Sequence, residues 1–154
     1  MAKKAERSSR ARSLSRRLAL QALYQWQLTG HSGAELLNQF TTDEGYPEVD
    51  AEYFVLLLRG VTSDGPALDA TLGELIDRPV NQLDPIEHAV LLIGLYELGH
   101  QFETPYRVVI NEGVELAKKF GATDGHKFVN AVLDRAARNL RAAEHAAAAK
   151  TARG

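Results

Sequence analysis

Apolar residues return every three or four positions along most of this 154-residue chain. That period, set by the 3.6 residues of a helical turn, constrains the fold more than any other feature. In LALQALYQWQL, Ala19, Ala22, Leu23 and Trp26 stand at i, i+3, i+4 and i+7, one face of a helix that starts within the preceding Ser/Arg segment. Thr29-Gly30-His31-Ser32-Gly33 ends it, because two glycines disfavour continuation. Ser32 and Glu35 have capping-box spacing and open a second, short helix to about Phe40. Asp50 can cap a third, whose Phe54, Leu57, Leu58 and Val61 share a face.

Asp64-Gly65-Pro66 reads as a break and restart, so Leu68, Leu72, Leu75 and Ile76 belong to a fourth helix that ends before Pro79. Asp84-Pro85-Ile86-Glu87 combines a capping carboxylate, a first-turn proline and an acid near the positive helix end, and opens a substantially buried fifth helix. Thr104-Pro105 repeats the device for a sixth, ending at Phe120-Gly121. Phe128, Val129, Val132, Leu133, Ala136 and Leu140 define a seventh. Val108-Val109-Ile110 has strand propensity by itself, but Pro105 upstream and Glu112 to Lys119 downstream favour helix. The expectation is an all-α fold of seven helices, with the 77–83 connection offering a division into two subdomains. The Ala-rich segment 142–154 lacks large apolar residues and is expected to be disordered.

Composition excludes several classes. With 45% apolar and 25% charged residues the chain can bury one sizeable core. It has no cysteine, hence no disulfide or thiolate metal site, which fits a cytoplasmic location. Its apolar runs fall far short of the roughly 20 residues that cross a bilayer, and no secretory signal is recognisable. Histidines 88 and 126 lie in different helices, and Glu112 and Glu115 lack the histidine three residues on that a di-metal bundle uses. HExxH, GxSxG and phosphate-binding glycine loops are absent, so neither catalytic residues, cofactor nor metal are expected.

The net charge of -2 conceals three blocks. Residues 1–17 carry seven bases and one acid, residues 18–117 three bases and 16 acids, and residues 118–154 eight bases and three acids. Clustered bases attract phosphate, whereas an acidic surface suits a basic protein. The first block is expected to be a flexible arm, with Arg7, Arg10, Arg12, Arg16 and Arg17 set among serines whose hydroxyls can also donate to phosphate. Arginine-rich segments of this kind order on RNA, forking onto phosphate or stacking on bases. The bland alternative is a solvated terminus. Lys118 and Lys119 suit phosphate or the negative end of their own helix, and Tyr24 a base stack or plain helix packing.

QALYQWQL (21–28), AVLLIGLYEL (89–98), PYRVVINEGVELAKKFG (105–121) and DGHKFVNAVLD (124–134), in this order and spacing, resemble the NusB family over residues 10–141. The resemblance implies a domain of two small helical subdomains at 18–141. It also implies a transcription antitermination factor that binds the boxA element of nascent ribosomal RNA together with a small-subunit ribosomal protein, NusE, and modifies elongation by RNA polymerase. Other Nus factors and the polymerase would be indirect partners, and homodimers are open. A protein-binding adaptor with incidental RNA contact is the competing reading. NusB-like domains also occur fused to rRNA cytosine methyltransferases, but the absent catalytic cysteine favours the stand-alone factor.

By the same resemblance Asp124, Lys127 and Phe128, in the family's DxHKF pattern, face RNA. Lys127 would neutralise phosphate, Phe128 would stack on an unpaired base or else join the core, and Asp124 would cap its helix or repel phosphate. Glu87, Tyr96 and Glu97 are expected to meet the ribosomal protein.

Overall fold

The computed structural model describes residues 2–153, with side chains from Lys3 to Thr151. Among the described residues there are seven α-helices, two 3-10 turns and no strand. The all-α expectation therefore stands, although the helix assignments differ at three places. The chain divides into two compact units, one ending at Gly65 and the other starting at Pro66. That division falls inside a helix, not at the 77–83 connection.

The first unit holds α1 (Ala2–Thr29), α2 (Gly33–Phe40), a 3-10 turn (Tyr46–Glu48) and the first part of α3 (Ala51–Leu75). Helix α1 takes in the segment expected to be a flexible arm as far as Ala2. Its Ala, Arg, Lys, Leu and Gln content costs little helix propensity, and extending a helix that is already anchored needs no new nucleus. Residues 3–10 are all exposed. Gly30, at φ 72°, ends the helix in the left-handed conformation a glycine takes without strain, its N–H bonding the Trp26 carbonyl at 3.1 Å. Ser32 and Glu35 form the anticipated capping box on α2. Asp50 caps α3 through Tyr53 N–H at 3.1 Å. The same residue ties α1 down, its N–H bonding the Ala11 carbonyl at 3.2 Å and its carbonyl accepting from Ser15 Oγ at 2.7 Å. Leu18, Leu20, Leu23, Leu36, Phe40, Phe54, Leu57 and Leu58 are buried.

Gly65-Pro66 does not break the chain, so the expected third and fourth helices are one helix, α3. A proline restricts its predecessor in part by clashing with that residue's Cβ, and Gly65 has none. A Cβ there would also stand 2.9 Å from Cη2 of Trp26, so packing independently demands glycine.

The second unit holds the remainder of α3, a 3-10 turn (Val80–Gln82), α4 (Pro85–His100), α5 (Tyr106–Phe120), α6 (Gly125–Leu140) and α7 (Ala142–Arg153). Asp84 caps α4 as expected, accepting from the Ile86 and Glu87 N–H groups at 2.9 and 3.2 Å. Helix α4 is the core element, buried from Ala89 to Leu95, with α5 and α6 packed on it and on each other. The close approach rests on Leu133 of α6, which lies against Gly94 and Gly113. A Cβ on Gly94 would sit 2.7 Å from Leu133 Cδ2, and one on Gly113 2.9 Å from Cδ1.

The segment expected to be a disordered tail forms α7. Arg141 and Glu144 explain why. The Arg141 guanidinium, its side chain 3% exposed, donates to the carbonyls of Glu97, Leu98, Gln101 and Thr104 at and just beyond the end of α4, and to Glu144 Oε1 at 2.7 Å. The other Glu144 oxygen accepts from Tyr106 N–H at 3.0 Å. Thr104 was expected to cap α5, but its Oγ1 is buried without a hydrogen-bond partner and the cap comes from Glu144, 38 residues later. Burial raises the Glu144 carboxyl, yet the Tyr106 N–H and the Arg141 guanidinium outweigh it and hold the group below its ordinary range. Met1 and Gly154, the outermost residues of the expected arm and tail, lie outside the described residues.

Candidate nucleic-acid interface

Helical phase sorts the basic residues of α1. Successive residues are turned by about 100°, so Lys3, Arg7, Arg10, Arg17 and Tyr24 fall within one stripe roughly 30 Å long. All five are exposed, Tyr24 by 39%. Lys3, Arg7 and Arg10 line a shallow open depression with Glu6. Arg12 and Arg16 project from the opposite side. The Arg12 guanidinium lies 4.5 Å from the Tyr53 ring centroid and its Nε is 3.6 Å from Asp50 Oδ2. Arg16 is 3% exposed and sits 5.3 Å from the same ring. These two cations stabilise packing between α1 and the start of α3. Their expected role as RNA contacts is corrected for Arg16, which solvent scarcely reaches, and reduced for Arg12, which is already partnered.

In the second unit, the other expected contacts occupy the end of α5, the following turn and the start of α6. Lys118 and Lys119 are exposed in the last turn of α5, Lys118 with its Nζ 3.5 Å from Glu115 Oε1. Asp124 has φ 65°, an αL conformation that Asp tolerates better than most residues. Its side chain makes no capping hydrogen bond. It pairs instead with Lys127 Nζ at 3.3 Å, both groups being about 70% exposed. Asp124 therefore sits directly against the cation expected to meet phosphate, and its expected cap is not formed.

Phe128 is half-buried and outside the buried face of Val129, Val132 and Leu133. Its ring is not bare, because the Arg78 guanidinium lies over it, 4.3 Å from the centroid. Sequence reading missed Arg78. The available signal was that it is one of only three bases within the acidic block, and that Pro79 follows it. Glu87 also faces this corner, since a Cβ on Gly125, the first residue of α6, would stand 2.8 Å from Glu87 Oε1. Burial pushes the Glu87 carboxyl up, nearby Asp84 adds to the rise, and Arg78 opposes both.

Glu87, Tyr96 and Glu97 do not form one surface. Tyr96 stacks on His100 with ring centroids 4.6 Å apart. Glu97 is 1% exposed, which corrects its expected place in a partner contact. Helix α4 is apolar nearly all round, so Glu97 in its interior is carried inward with its neighbours.

The NusB family model matches residues 13–138. A transcription antitermination protein NusB from a Marinomonas species is 52% identical over 141 residues, covering 90% of this chain and 81% of that relative. Its counterpart from Paraburkholderia phymatum is 50% identical over 140 residues, covering 91% and 97%. Among solved structures, Thermotoga maritima NusB superposes with a TM-score of 0.74 at 26% identity, covering 83% of this chain and 91% of that one. A NusB from a complex of NusB and NusE with double-stranded RNA superposes with a TM-score of 0.69 at 25% identity, covering 82% and 96%.

Proposed function

The chain belongs to the NusB family, and from that premise we propose that it is a transcription antitermination factor that binds boxA RNA of nascent ribosomal transcripts together with the ribosomal protein NusE. The observation that carries the RNA half is the α1 stripe of Lys3, Arg7, Arg10 and Arg17, ending at Tyr24. Four cations on one exposed face follow a phosphate chain at little conformational cost, because the helix has already fixed their spacing. Tyr24 adds a ring on which a base can stack. The end of α5 and the start of α6 add a second set of contacts through Lys118, Lys119 and Lys127. The protein half is supported by the acidic segment 18–117, which complements a basic ribosomal protein, with half-exposed Tyr96 within it. The structural relative solved with NusE and RNA supports the same pairing of partners.

The test is a titration of boxA-like RNA, as a single strand and as a duplex, with and without NusE. It compares the chain with a variant in which Lys3, Arg7, Arg10 and Arg17 are all glutamine. Losing four phosphate contacts should flatten the dependence of log affinity on log salt by about 3 for a single strand. Read-through of a terminator in a transcription assay should fall in parallel. Equal affinity and equal slope for the two proteins would remove the stripe from the mechanism.

A further inference from the structure

We propose that Arg78 presents its guanidinium plane as a stacking surface for an unpaired RNA base, with Phe128 as the residue that positions it. The inference rests on the RNA-binding reading above and deepens it. Three observations converge on Arg78.

The first is the geometry. At 4.3 Å from the Phe128 centroid the guanidinium takes up one face of the ring. A base approaching from that side meets Arg78, not Phe128, and a planar delocalised cation stacks on bases as well as an aromatic ring does. The second is the backbone. Arg78 is exposed in the segment between α3 and the Val80–Gln82 turn, and Pro79 steers the residue before it towards extended geometry. The side chain thus starts from a restricted backbone and is held further by the ring, so little rotamer freedom remains to be lost on binding. The third is electrostatic. Arg78 acts on Glu87, which faces the same corner. The guanidinium influences that carboxyl without being ion-paired to it, so it is not committed to Glu87 and keeps its flat face for a base. The neighbouring cation, Lys127, is paired with Asp124 at 3.3 Å.

A stacking role makes this corner selective for single-stranded RNA, because a base inside a duplex has no free face. Titrations of a boxA-like single strand and its duplex against the full chain test this with Arg78→Lys, Arg78→Ala and Phe128→Leu. Arg78→Lys keeps the charge and loses the plane. It should weaken single-strand binding at least fivefold, leave the salt slope unchanged and leave duplex affinity within twofold. Arg78→Ala should do the same or more. Phe128→Leu should weaken single-strand binding by itself and add nothing on top of Arg78→Ala, since it acts through the guanidinium. Far-UV circular dichroism verifies that each variant keeps its helices.

Single-strand binding by Arg78→Lys equal to that of the parent would overturn the proposal, as would a parallel loss for the duplex. Fully additive losses for Arg78→Ala and Phe128→Leu would overturn the positioning role. A parent protein that binds neither RNA would instead defeat the functional reading beneath it, so the two failures are distinguishable.

Discussion

Arg141 is the side chain whose removal tests the architecture of the second unit most directly. Its guanidinium donates at 2.8 Å to the Leu98 carbonyl, at 3.0 Å to Thr104, at 3.2 Å to Glu97 and at 2.8 Å to Gln101. The Glu97 and Gln101 carbonyls also accept from the N–H groups of Gln101 and Thr104, at 2.9 and 3.1 Å, and so keep a partner without it. The Leu98 and Thr104 carbonyls depend on the arginine. Replacing Arg141 by methionine fills most of the space and strands those two acceptors, at about 1–3 kcal/mol each. It also releases Glu144, loosening the cap on α5. A loss of about 3–4 kcal/mol is expected, within the range seen when one member of a buried polar network is removed. Arg141→Lys, with a compact charge that cannot serve four carbonyls at once, should lose about half as much. Urea unfolding followed by far-UV circular dichroism measures both. A methionine variant within about 0.5 kcal/mol of the parent would refute the view that this guanidinium closes the end of α4.

Other perturbations follow from the same geometry. Asp124→Asn should tighten RNA binding about threefold, the effect of removing one charge roughly 6 Å from a phosphate in water-like surroundings. Its stability should be unchanged because asparagine also accepts αL geometry, and fluorescence anisotropy reads the change in affinity. Gly94→Ala should destabilise by about 1 kcal/mol, because crowding Leu133 outweighs the gain in helix propensity. Pairing it with Leu133→Val should recover part of the loss in urea unfolding. Glu87, whose carboxyl is raised, contributes stability that is complete below its ordinary value of 4.5 and fades as pH rises through its folded value. Glu87→Gln should therefore raise the melting temperature at pH 7 relative to the parent and narrow the gap at pH 4. Glu144, whose carboxyl is lowered, has the opposite sign, its contribution being present above 4.5 and lost as pH falls through the folded value. Glu144→Gln should flatten the acid limb of the stability profile.

The helical periods and most of the caps are local properties, and they were legible. Ser32 with Glu35, Asp50, and Asp84 with Pro85 each act within three residues of themselves, so a one-dimensional reading finds them. What escaped was set by contacts remote in sequence. Glu144 caps α5 from 38 residues away, and His145 beside it stacks on Tyr106, so an alanine-rich segment with nothing large to bury reads as disordered although a few polar side chains dock it. Gly65-Pro66 read as a break because the ring that fills the space beside Gly65 comes from Trp26 on another helix. At the candidate interface the chemistry was visible and the direction was not. Counting Arg7 to Arg17 as an arm gives five equivalent cations. Carrying the 3.6-residue period back through them separates Arg7, Arg10 and Arg17 from Arg12 and Arg16, and the decisive residue is Tyr53, whose ring the inner pair covers. The same lesson applies with opposite sign to Glu97, an acid on a helix with almost no polar face, which burial removes from any partner. A charged residue in a helical protein earns a binding role only after its phase has been fixed against the core. The α1 stripe meets that condition, and Arg78, which lies on no helix, meets it through the ring beneath it.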